Sequence, residues 1–196
     1  MLPAIPARIN KFKSDLAAMP YDQVVQKHII GGDCFTLTSD QHFELKRAIA
    51  DKFSLNPHYV VVVGSAKLGF SIARTKRYRH FGNDSDIDIA IVSDRLFDEV
   101  WQQVFEYSES PGRDIYWDRD NAFKTYLFRG WIRPDKLPPP GGFAYKAEWF
   151  EFFRSLTASG AFGEYKIAAG LYRSMYFLER YQGICTMQCQ QELGGL

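Results

Sequence analysis

The stretch "VVVVGSAKLGFSIARTKRYRHFGNDSDIDIAIVS", Val60 to Ser93, decides the fold. It opens on four β-branched residues. With His58 and Tyr59 they predict a strand over 58–63 that is apolar on both faces, hence buried on both sides. Gly64-Ser65 is the turn that ends it. The stretch closes on "SDIDIAIVS", which predicts a second strand over 85–93. Side chains alternate along a strand, so Asp86 and Asp88 share one face about 7 Å apart, while Ile87, Ile89 and Ile91 point into the core. Two carboxylates so placed repel each other unless water or cations neutralise them. A divalent cation with a taste for hard oxygen ligands, Mg²⁺ or Mn²⁺, offsets that repulsion. The plainer alternative is the solvated face of an amphipathic edge strand.

Gly64-Ser65 weighs against the plain alternative. A glycine after a buried strand lets the backbone approach a ligand, and free N–H groups with a serine hydroxyl can hold phosphate oxygens. Neither the P-loop spacing G-x-x-x-x-G-K-[ST] nor the dinucleotide fingerprint G-x-G-x-x-G is present. A phosphate-binding turn on one strand and metal-binding carboxylates on the next together point to phosphoryl chemistry on a nucleoside triphosphate.

Outward from this stretch the pattern is mixed α and β. Ile9, Phe12, Leu16 and Met19 recur at helical spacing, and residues 7–30 predict two short helices broken at Pro20 and ended by Gly31-Gly32. Thr38 or Ser39 caps a helix carrying Phe43, Leu45, Ile49 and Phe53. Ser93 or Asp94 caps another from about 95 to 108, with Leu96, Phe97, Val100, Trp101, Val104 and Phe105 on its buried face. Residues 114–131 suit helix slightly better than strand, and "RPDKLPPPGG" is a loop. A helix over 147–157, a third strand in "EYKIAAGLYR" and a closing helix over 174–182 complete the chain. The expectation is one domain over 1–196 of the α/β (α+β) class: a small mixed sheet with helices packed on one face. Its core lies at about 36–131, with a helical N-terminal extension (1–35) and a C-terminal part (132–196).

Composition narrows the partners. The formal net charge of the 196 residues is +1, so any nucleic-acid contact must come from a local patch. Cys34, Cys185 and Cys189 form no disulfide framework, and Cys185-x-x-x-Cys189 lacks the second ligand pair of a zinc site. No apolar segment follows Lys11 and Lys13, and no run approaches the ~20 residues that span a bilayer. A cytoplasmic protein without membrane contact is expected. The four histidines are scattered and form no ligand spacing.

The combination of an apolar strand, Gly64-Ser65, and then Asp86-Ile87-Asp88-Ile89 resembles the polymerase-beta-like nucleotidyltransferase superfamily. The resemblance covers about residues 58–108. It implies a sheet of the nucleotidyltransferase type, with Gly64 and Ser65 on the β and γ phosphates. Asp86 and Asp88 become the catalytic residues and the ligands of two Mg²⁺ (or Mn²⁺) ions. The reaction is transfer of a nucleoside monophosphate to a hydroxyl of a protein, a nucleic-acid end, another nucleotide or a small molecule, with release of pyrophosphate. Stand-alone members suggest a toxin–antitoxin or anti-phage role.

Two departures stand out. The segment between the motifs is long and carries Arg74, Lys76, Arg77, Arg79 and His80. It is either a solvated loop or a contact for phosphate or nucleic acid. Lys67 and Ser71 lie near enough in sequence to help hold the triphosphate. The superfamily also supplies a third carboxylate from a later strand, for which Asp114 and then Glu164 are the candidates. If the third strand is "YKIAAGLY", its interior holds no acid. The alternative function is then a degenerate module that binds nucleotide or a partner without turnover.

Overall fold

The computed structural model describes residues 4–139 and 143–194. Pro140 to Gly142, the end of the expected "RPDKLPPPGG" loop, lie outside the described residues.

Two β-strands form where the sequence places them. β1 is Val60–Val63 and β2 is Ile87–Val92. All four valines of β1 are buried. The strands pair antiparallel, with Val63 opposite Asp88. His58 and Tyr59 fall instead in a 3₁₀ turn, Pro57–Tyr59, that the Asn56 side chain caps. Two further strands complete the sheet: β3, Trp131–Ile132, and β4, Ile167–Tyr172. The order is β1-β2-β4-β3, with β4 parallel to β2 and antiparallel to β3.

Helices cover both faces of this sheet, not one. Val60, Val62, Ile87, Ile89, Ile91, Ile167 and Leu171 face one hydrophobic cluster. Against them lie α3 (Ser39–Phe53), α5 (Asp94–Glu109) and α7 (Ala144–Ala158). Val61, Val63, Ala90, Val92 and Tyr172 face a second cluster. It is closed by α1 (Ile5–Ala18), by α2 (Tyr21–Val25) running on into a π-helical turn (Gln26–Ile30), and by α8 (Met175–Gly194). The correction has a simple cause. Every strand here except the two-residue β3 has apolar side chains pointing both ways, and each set needs its own cover. Buried Asp15 ties α1 to the π turn through Lys27 and His28, and pairs with Lys11 within α1.

The helix signals behave unevenly. Thr38 caps α3 in a reciprocal box with Gln41, and Ser93 caps α5 through Leu96 N–H. On α5, Leu96, Phe97, Val100, Val104 and Tyr107 are buried, but Trp101 and Phe105 are exposed, as is Phe43 on α3. The buried stripe of α5 runs 96/97–100–104–107, which leaves 101 and 105 at its edge. The ambiguous stretch after α5 is a series of turns, then α6 (Ala122–Phe128), then β3. Helix α8 runs twelve residues past the expected end at Gln182. No helix among the described residues is long and apolar enough to cross a membrane.

Candidate functional site

Strand β2 enters the sheet at Ile87, whose N–H donates to the Lys166 carbonyl at 2.8 Å. Its even-numbered residues face the α1/α8 side. Ala90 and Val92 are covered there, but Asp88 lies beyond the cover and opens on a cleft. Because β1 runs antiparallel to β2, the end of β1 and the start of β2 coincide. Gly64 and Ser65 therefore sit at the same end of the sheet as Asp86 and Asp88, and all four line one cleft of about 570 Å³.

The contact between the two motifs is close. Gly64 has φ +66°, a left-handed backbone, and a Cβ added there would stand 2.9 Å from Asp88 Oδ2. Glycine is needed twice over, for its dihedral and for the approach of the carboxylate. Gly64 opens the five-residue helix α4, Gly64–Leu68. The Ser65 hydroxyl donates to and accepts from no protein group among the described residues.

Asp88 is reached by solvent along the cleft, yet protein surrounds it on its other sides. That enclosure first, and the negative charge of Asp86 second, push its carboxyl up to about 6, against the pull of Lys166. Lys166 is the nearest cation, 3.8 Å from Asp86 Oδ2, and its side chain is largely exposed. Two neighbouring hard-oxygen donors, with one loose lysine for company, could hold a divalent cation that draws its remaining ligands from phosphate and water. Among the described residues no third His, Cys, Asp or Glu joins them in a group that could hold a metal.

The expected third carboxylate is not in the cleft. Asp114 lies on the exposed turn after α5, where its Oδ1 accepts from Tyr116 N–H. Glu164 is exposed on the loop before β4. Neither lines the cleft. β4 itself reads Ile-Ala-Ala-Gly-Leu-Tyr, and the residue paired with Asp88 is Ala168. Two other acids do line the cleft, Asp84 and Asp135. Asp135 is already held by both arms of Arg133 at 3.0 Å. Asp84 extends the Asp-x-Asp spacing by one step, and that period-two series was its available signal.

Lys67 also departs from expectation. It is buried and donates from Nζ to the Gly32 carbonyl at 2.7 Å, so it anchors the Gly31-Gly32 turn instead of lining the cleft. Ser71 lines the cleft, with its Oγ accepting from Ala73 N–H. Of the basic segment, Lys76, Arg79 and His80 line the cleft, whereas Arg74 is exposed and outside its lining. Arg77 is turned away and committed to α8: it grips the Glu192 carboxylate at 3.1 and 2.9 Å, contacts Cys189 Sγ at 3.0 Å and donates to the Ile72 carbonyl.

The far half of the cleft holds residues that the sequence did not single out. Trp131 stacks on Tyr172 with ring centres 5.4 Å apart and meets Tyr181 at 4.4 Å. Its Nε1–H is buried without a partner among the described residues, lying where a side chain on Gly170 would be. Gln182 and Cys185 of α8 close this end. Comparison of the chain with protein-family models, with curated proteins and with solved structures finds no match.

Proposed function

We propose that this protein is a Mg²⁺- or Mn²⁺-dependent nucleotidyltransferase that moves a nucleoside monophosphate from a nucleoside triphosphate to a hydroxyl. The observation that carries the reading is the approach of Asp88 to Gly64, because it brings a turn suited to phosphate and a pair suited to metal onto one spot. In this reading the Ser65 hydroxyl and the backbone N–H groups around Gly64 hold the outer phosphates. Asp86 and Asp88 would hold the cation beside the α-phosphate; when bound it would supply charge neutralisation on the phosphates and a lowered pKa for the attacking hydroxyl. The hydroxyl oxygen bonds the α-phosphorus as its bond to the bridging oxygen breaks; pyrophosphate leaves and the hydroxyl proton passes to solvent. The β4 floor, small at Ala168, leaves room for an acceptor beside the carboxylates.

Ala168 beside Asp88 favours a second reading, a module that binds nucleotide without turnover, since β4 brings no acid to the pair. One experiment separates the two. The protein is incubated with each labelled ribo- and deoxyribonucleoside triphosphate and Mg²⁺ or Mn²⁺, with pyrophosphate and labelled product (including self-labelling) as readouts. Transfer is expected, and Asp86→Asn and Asp88→Asn should each lower it by ~10³-fold or more, the several kcal/mol that a metal contributes. Saturable nucleotide binding with no pyrophosphate under any condition selects the second reading. Transfer that survives in either mutant removes the pair from the chemistry.

A further inference from the structure

Residues 69–81 double back on themselves as a hairpin at one wall of the cleft. Phe70 and His80 bridge across it, Ser71 N–H donates to Arg79 O and Tyr78 N–H to Ser71 O, each at 2.8 Å, and Phe81 N–H donates to Gly69 O at 2.8 Å. The hairpin is fastened from behind. Arg77 binds it to Cys189 and Glu192 of α8, the Tyr78 ring packs on Phe70, and the Lys13 ammonium lies 4.3 Å from the Tyr78 ring centre. The one arginine that faces inward is thus consumed in holding the hairpin still.

The cations that face outward are treated differently. Arg74, Lys76 and Arg79 are exposed, and among the described residues none makes an ion pair or a side-chain hydrogen bond. Lys76, Arg79 and His80 share the cleft with Ser65 and with the carboxylates of Asp84, Asp86 and Asp88, while Asp135, also in the cleft, is paired with Arg133. Opposite charges normally close on each other when an exposed loop brings them together, for a gain of up to ~1 kcal/mol. Here a braced hairpin holds the cations on one wall while the acids stay on the floor. A ligand that carries phosphate satisfies both, its anionic oxygens toward the wall and its metal-bridged oxygens toward the floor.

We infer that Lys76 and Arg79 form a phosphate-binding wall of this cleft, with Arg77 as its brace. The phosphates come from the triphosphate of the nucleotide or from the backbone of a nucleic-acid strand; only the first source rests on the nucleotidyltransferase reading.

The test is equilibrium binding by the full chain, with no turnover required. The probes are a labelled single-stranded DNA 20-mer, the matching RNA, and ATP with Mg²⁺, each titrated from 50 to 250 mM KCl. The variant is Lys76→Gln/Arg79→Gln, with Arg79→Gln alone as a milder form should the double variant melt early. If a strand supplies the phosphates, the variant binds the oligonucleotide more weakly and the slope of log affinity against log salt falls by about 1.4, at ~0.7 per single-strand contact, while ATP affinity holds. If the triphosphate supplies them, ATP affinity falls at least tenfold and the oligonucleotide is unaffected. Either result supports the wall. Unaltered binding of all three probes, or no binding by the unmutated protein at 50 mM KCl, overturns it. Asp88→Asn separates this from the functional reading: it should end transfer yet leave oligonucleotide binding intact.

Discussion

On the β1–β2 side of the cleft the chemistry comes from near neighbours in sequence: Gly64, Ser65, Asp84, Asp86 and Asp88. On the β4–β3 side it comes from three separated segments, Trp131 to Asp135, Ala168 to Tyr172 and Tyr181 to Cys185. The first side gathers like charge at a glycine in the left-handed region. The second is neutral where it meets Asp88, and is built from small residues and stacked aromatics. One half therefore stores unfavourable electrostatics that a ligand can relieve, while the other supplies the packing that keeps the half-charged cleft open. Glycine serves opposite purposes in the two halves. Gly64 admits a carboxylate, whereas Gly170 admits an indole.

Alanine at each of these glycines tests the contrast most severely. A Cβ at Gly170 would stand 2.4 Å from Trp131 Nε1, in a ring packed against Tyr172 and Tyr181. That ring cannot withdraw cheaply, so Gly170→Ala should lose about 1–3 kcal/mol of stability by overpacking, read as a lower Tm, with ATP affinity less than threefold changed. Gly64→Ala meets only the end of the Asp88 side chain but must hold a left-handed backbone, at about 1–2 kcal/mol. Its main effect should fall on nucleotide affinity, reduced at least tenfold. The opposite pattern, with Gly170→Ala abolishing nucleotide binding and Gly64→Ala sparing it, would assign the phosphate site to the wrong half.

A smaller effect comes from giving the neutral half an acid. Ala168→Asp places a carboxylate on β4 in register with Asp88. Without cations it should destabilise by about 0.2–1 kcal/mol, as like charges on adjacent strands do. Millimolar Mg²⁺ should then raise the Tm of the variant more than that of the parent. An equal response to Mg²⁺ in both proteins would mean that the pair at Asp86 and Asp88 is not where the cation goes.

The same contrast explains what was legible in the sequence. β1, β2 and their Gly-Ser and Asp-x-Asp motifs are contiguous, and strand periodicity alone puts Asp86 and Asp88 on one face. Their meeting with Gly64 follows once the strands pair antiparallel. β3 was invisible because two residues carry no period, and with it went Trp131. Ala168 and Gly170 gave a weaker signal, a run of small residues in an otherwise apolar strand. Lys67 and Arg77 were misplaced for a shared reason. A long side chain close to a site in sequence can face the opposite way: Lys67 is spent on the Gly32 carbonyl, and Arg77 on the Ile72 carbonyl and α8, contacts that the sequence does not announce. The helices on the second sheet face were hidden too, since a strand apolar on both sides does not say which helix covers which side.

The smallest expected effect concerns Asp88 and pH. Its carboxyl is pushed up to about 6 in the fold by enclosure first and by the Asp86 charge second, while in the unfolded chain it titrates near 3.9. Between those values the folded state binds more protons than the unfolded one, so the Asp88 contribution to stability falls as the pH rises from about 4 to about 6 and stays unfavourable above that. Asp88→Asn removes the titration and keeps the shape. The variant should match the parent near pH 4 and become the more stable of the two above pH 6, by about 1 kcal/mol or less once screening of a solvent-reached carboxylate is counted. Saturating Mg²⁺ at pH 7.5 should erase that advantage, because the cation stabilises the parent through the charge that the variant lacks. Thermal melts at pH 4, 5, 6 and 7.5 with and without Mg²⁺ read this directly. A parent that is more stable than Asp88→Asn at pH 7.5 in the absence of divalent cations would mean that the pair is already neutralised within the fold, and that the acidic half of the cleft stores no charge for a ligand to relieve.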